Sequence, residues 1–187
     1  MHGPENAEHE LKKAYNSVIE AGVTHFWDRK LIPGVNPDEV LTIYKHAFQC
    51  YRKEDRLTAE RWARAAKHLA RAVWHEAKIA YLEPRVAELP YLEGATPEEY
   101  NLHEHSDTTE DLLNSVETHI PKTDEHIQQL MQRYLQRGRK HLLFLNQEDY
   151  KNELLRFERI KAAHEYGRVL ECIALAYEAE EFRRKAA

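Results

Sequence analysis

The chain has 187 residues, 42% of them hydrophobic and 32% charged, with a net charge of −5. A domain of that length buries roughly 70% of its unfolded surface, so a core needs neither metal nor disulfide staples. Six glycines and seven prolines are too few for a β-rich protein with a turn every dozen residues, and helices joined by short loops fit better.

The expected fold is therefore all-α. It is a single-domain bundle of five or six mostly antiparallel helices over residues 1–187, with a long third helix, a long C-terminal helix and an irregular acidic segment 84–123. Cys50 and Cys172 each sit in a helical pattern without a close cysteine partner, which argues against a disulfide framework or a thiolate cluster. A reducing, cytoplasmic setting is expected. The acidic, non-apolar N-terminus lacks signal-peptide character, and apolar runs such as Leu142–Leu145 fall far short of a membrane span.

In chain order, helix 1 is expected over Ala7–Lys30, with Leu11, Tyr15, Val18, Ile19, Gly22 and Phe26 at helical spacing. Pro33-Gly34 breaks the chain, and Asn36-Pro37-Asp38-Glu39 combines a cap, a first-turn proline and a capping-box glutamate. Helix 2 follows with Val40, Ile43, Tyr44, Ala47, Phe48 and Tyr51 on one face. A polar turn at Lys53–Arg56 leads into helix 3, expected from near Thr58 to Glu83. Its apolar arc holds Trp62, Ala66, Leu69, Ala70, Val73, Ala77, Ala80 and Tyr81. The opposite arc holds a basic stripe of Arg61, Arg64, His68, Arg71, His75 and Lys78. The helix 2–helix 3 hairpin resembles one tetratricopeptide unit, with no second copy a period later.

Beyond Pro84, Thr96-Pro97-Glu98-Glu99 is expected to open a short helix. Asp107 or Thr108 is expected to cap another, with Leu112, Leu113 and Val116, which Pro121 ends. Thr123-Asp124 opens a helix through Leu145, a turn follows at Asn146–Asp149, and the last long helix carries Leu154, Phe157, Ile160, Gly167, Leu170, Ala174 and Tyr177. Gly167 is expected to permit close helix approach. Trp27, Trp62 and Trp74 read as core or interface aromatics, Trp74 at the edge of its arc.

Charge is distributed unevenly: the balances over residues 1–44, 45–82, 83–126 and 127–187 are −3, +5, −10 and +3. The basic stripe could neutralise phosphates, but no aromatic interleaves with it to stack bases. Cover by the acidic segment 83–126 accounts for it better.

Twelve histidines raise the question of metal. Glu-x-x-His, His-Glu-x-x-His and paired Cys-x-x-Cys are all absent. What remains is Glu99, His103 and Asp107, stacked at i, i+4 and i+8 if one helix spans them, for which a solvated acidic face is the simpler account. Phosphate-binding glycine loops and nucleophile elbows are absent as well.

Arg159-Ile160-Lys161-Ala162-Ala163-His164 matches a loose Arg-x4-His signature and resembles that of HEPN-type helical ribonucleases. The helix 2–helix 3 hairpin is similar to the front half of such domains. The resemblance implies a metal-independent ribonuclease with Arg159 and His164 facing a dimer cleft. On one unbroken helix these side chains diverge by about 140°, so they converge only if the helix breaks between them.

The residues thus point to a non-catalytic helical binding or assembly module without a cofactor. Its partner would be an unidentified protein or a second copy, not a membrane. The HEPN-like nucleic-acid reading and a metal-binding bundle stand as alternatives.

Overall fold

Alanines at 59, 63, 65, 66, 70, 72 and 77 give helix α3 (Arg56–Leu82) little side-chain girth and high helical propensity. Neighbours can therefore approach it closely, and it becomes the shared element of the bundle. The computed structural model describes residues 4–27, 37–85, 101–145 and 152–186. Among these, α3 packs against α1 (Pro4–Trp27), α2 (Pro37–Arg52) and α6 (Glu153–Ala186). Helices α4 (Leu102–Glu117) and α5 (Glu125–Leu145), joined through a 3-10 turn at Ile120–Lys122, pack on α6. The described residues contain no strand, and the all-α bundle with a long third helix and a long C-terminal helix is what the composition and periodicity imply.

Local chemistry sets the helix ends. Asp55 caps α3 by accepting a hydrogen bond from the Thr58 amide at 3.3 Å, so the helix begins two residues before the position expected from the apolar pattern. The hairpin into it closes as a Schellman motif: the Asp55 amide donates to the Cys50 carbonyl and the Glu54 amide to the Tyr51 carbonyl, both at 3.0 Å. Glu54 holds the left-handed conformation that this motif usually gives to glycine, at φ 63°. Asp124 caps α5 through the Ile127 amide, and Asn152 caps α6 through the Leu155 amide, each at 3.0 Å.

The acidic region differs from expectation. Asp107 and Thr108 start no helix; they lie inside a single α4 capped by Asn101, which accepts from the Glu104 amide at 3.2 Å. The Thr108 hydroxyl donates to the Glu104 carbonyl one turn back, as a mid-helix threonine does. The expected start at Thr96–Glu99, the turn at Asn146–Asp149 and residues 28–30 of the first helix lie outside the described residues, as does the side chain of Trp27.

Two glycines seat α4. A Cβ on Gly138 of α5 would lie 3.1 Å from Leu113, and one on Gly167 of α6 would lie 2.7 Å from Leu112. Leu112 and Leu113 thus occupy the space that side chains at those positions would fill, as expected for Gly167. Among the described residues, no helix is long and apolar enough to cross a membrane.

Candidate functional site: a polar cleft between α3, α5 and α6

The buried positions of α5 are Met131, Tyr134, Leu135, Gly138, His141 and Leu145, spaced as one helical face. His141 thus occupies a core position, and Arg137 precedes it by one turn. On α3, Glu76 lies on a buried face that includes Ala72, Val73 and Ile79. From α6, Arg159 and Tyr166 reach the same place. Three helices therefore converge five charged or titratable groups where the periodicity predicts hydrocarbon.

Their geometry is tightly specified. Arg137 donates from Nη2 to Glu76 Oε2 at 3.0 Å and to Oε1 at 3.3 Å. His141 Nε2 stands 3.0 Å from Glu76 Oε1, and its Nδ1 lies 3.2 Å from Arg159 Nη1. A guanidinium can only donate, so Nδ1 accepts, and the ring carries its proton on Nε2, from which it donates to Glu76. Arg159 also pairs with Glu83 and stacks over the Phe144 ring at 4.0 Å. Burial pulls the Glu76 carboxyl upward, but the His141 hydrogen bond and the Arg137 guanidinium outweigh it and hold the group below the usual carboxylate range. Burial beside Glu76 pushes the Tyr166 hydroxyl well above its ordinary value, and the hydroxyl makes no hydrogen bond of good geometry.

This network floors a cleft of about 510 Å³ that opens to solvent. Arg137, Lys140 and Arg159 line it against Glu76 and Glu83, with Ile79, Ala80 and Phe144 forming an apolar wall. Among the described residues that line it, positive charge is therefore in excess.

Arg159 is the one residue here that the sequence singled out. Its expected partner His164 is elsewhere: α6 continues unbroken between them, so the two side chains point to different neighbours. His164 lies beside Lys161, Glu165, Arg168 and His68, where burial and the nearby cations hold it below its ordinary value despite Glu165. The histidine that meets Arg159 is His141, from another helix. Its signal was a histidine in register with the core of α5, and Glu76 stands in register with the core of α3 in the same way.

The basic stripe on α3 is engaged by internal groups. His75 Nδ1 lies 2.6 Å from Glu158, to which Lys78 donates at 2.9 Å. His68 Nδ1 lies 2.6 Å from Glu165, which Arg71 approaches at 4.0 Å. Arg64 pairs with Glu60 at 2.7 Å and lies 3.9 Å from Glu10, and Arg61 donates to the Leu175 carbonyl. Among the described residues the covering carboxylates come from α1, α3 and α6, whereas expectation assigned them to segment 83–126. Its described helix, α4, packs on α5 and α6 instead. His103 and Asp107 approach to 3.5 Å on the exposed face of α4, while Glu99 lies outside the described residues.

No family model, curated protein or solved structure matches this chain.

Proposed function

We propose that the protein is a non-catalytic helical binding module, and that the cleft between α3, α5 and α6 receives an anionic group on its ligand. The observation that carries this reading is the arrangement of Arg137, Lys140 and Arg159 around that opening, facing two carboxylates among the described residues. Glu76 fixes Arg137, and Phe144 supports the Arg159 guanidinium. A planar, pre-oriented guanidinium suits a carboxylate or a phosphate bound through two oxygens. Glu83, on the half-exposed rim, occupies Arg159 until the ligand replaces it. A carboxylate can come from a protein side chain or chain terminus, which keeps partner binding within this reading.

Calorimetric titration with inorganic phosphate and with citrate tests it and separates the two anion chemistries. Losing a charged hydrogen-bond donor costs about 1.5–3 kcal/mol, so Arg159→Leu should weaken binding by roughly ten- to hundredfold. Glu83→Gln should strengthen it. Absence of anion binding in both the wild type and Glu83→Gln would reject the reading.

A second reading keeps the nucleic-acid alternative with a changed residue. The approach of Arg159 to His141 at the cleft favours an RNA-directed site built on that pair instead of Arg159 with His164. Cleavage of single-stranded RNA that disappears in His141→Ala and persists in His164→Ala would support it. Equal activity in both variants would exclude it.

A further inference from the structure

At the opposite end of α6, a second cluster has donors of three chemical kinds. His46 and Cys50 stand four residues apart on α2, so both side chains face the same way, toward Glu180 near the end of α6. One donor atom from each lies within 4.8 Å of the other two. The His46 Nε2–Glu180 Oε1 separation is 3.0 Å and the Cys50 Sγ–His46 Nε2 separation is 3.9 Å. A tetrahedral zinc ion with ordinary bond lengths needs donor–donor edges of about 3.3–3.6 Å. The two edges to His46 reach that range by shifts of a few tenths of an ångström, and the Cys50–Glu180 edge, which lies within 4.8 Å, by a side-chain adjustment of at most about 1.5 Å.

We infer that His46, Cys50 and Glu180 form a zinc site with three protein ligands and a fourth position open to solvent. Donor chemistry selects the ion: thiolate with imidazole favours zinc over magnesium or calcium, which prefer all-oxygen shells. Cys50 thiolate and Glu180 carboxylate would balance a doubly charged cation, with His46 neutral. The surroundings hold the ligands in place. The Trp62 indole donates to Glu180 Oε1 at 2.7 Å, orienting the carboxylate, and the His46 ring packs edge-on against Trp62 at 4.9 Å. Trp62 is buried, whereas the His46 side chain is 45% exposed, so the unfilled position faces water. Bound zinc would clamp α2 to the end of α6, 134 residues away in sequence. Arg183 already ties the same junction through Asp55 at 2.9 Å.

The test uses the full chain, stripped with chelator and titrated with cobalt(II) as a spectroscopic stand-in for zinc. One equivalent should produce a thiolate-to-cobalt charge-transfer band and the visible absorption of a tetrahedral ion, both displaced by zinc. Cys50→Ser should abolish the charge-transfer band, and Cys172→Ser should leave it unchanged. Trp62→Phe should weaken zinc binding by roughly ten- to hundredfold, because it releases the Glu180 carboxylate. In the wild type, zinc should also protect Cys50, but not Cys172, from alkylation, a readout that needs no variant to fold. A missing charge-transfer band, or one that survives Cys50→Ser, would overturn the assignment. Cys50 that alkylates in the zinc-free chain and does so equally fast with zinc would do the same.

Discussion

Glu76 shows how one residue organises a site. It accepts hydrogen bonds from Arg137 and His141, and His141 in turn accepts from Arg159, so each guanidinium is oriented directly or at one remove by the same carboxylate. Truncating a buried ion pair strands its partner without compensation. Glu76→Ala should therefore lower unfolding free energy on the order of 3 kcal/mol, measured by urea denaturation. Glu76→Gln keeps shape and one acceptor and should cost less. Equal stability of Glu76→Ala and wild type would mean that the network does not hold the three helices together. Arg159 was legible from sequence as an unusual residue on the last helix. Its working partners were not, because Glu76 and His141 lie on two other helices and only packing brings them to it.

Between elements, two positions carry measurable strain or crowding. Glu54 closes the α2–α3 hairpin in a left-handed conformation that costs an ordinary L-residue about 1–2 kcal/mol. Glycine relieves this but loses more backbone entropy on folding, so Glu54→Gly should raise stability by less than about 1 kcal/mol. A higher urea midpoint with an unchanged slope would confirm it, and a lower one would refute it. At Gly167 the sign reverses. Alanine gains about 1 kcal/mol of helix propensity. Its Cβ would meet Leu112 Cγ at 2.9 Å and Cδ2 at 2.7 Å, contacts that require α4 or the leucine to move. Overpacking of that kind costs about 1–3 kcal/mol, so Gly167→Ala should be destabilising on balance. Adding Leu112→Ala should remove the clash, and a double mutant whose losses are simply additive would argue against direct contact.

On the scale of the whole molecule, carboxylates that bridge helices control its response to pH. Glu76, Glu158 and Glu165 are buried, which alone would raise them. Their histidine, arginine and lysine partners outweigh burial and place all three below the ordinary value of 4.5. A depressed folded-state pKa means that the unfolded chain binds protons first. The stability these groups supply is present above pH 4.5 and lost as pH falls through their lower folded values. His164 acts in the same direction at milder pH: burial lowers it below 6.5, so the unfolded chain gains a proton first below that value. Urea midpoints should decline gently from about pH 6.5 and steeply below about 4.5. His164→Gln should remove only the first part. A flat profile down to pH 4 in the wild type would contradict the His164 assignment.

The sequence by itself determined the helices, because the 3.6-residue period and the capping side chains act within a few residues of one another. It placed α3 within two residues at its start, foresaw the close approach at Gly167, and required Arg159 and His164 to diverge on one helix. Where local signals competed, as among the acidic residues before Leu112, it divided one helix into two. Tertiary structure alone decided which polar groups meet. Glu158 and Glu165 cover the α3 cations, His141 meets Arg159, and Glu180 meets His46 and Cys50, all because of the order in which the helices pack. Those contacts join residues 18 to 134 positions apart, and no local periodicity encodes that order.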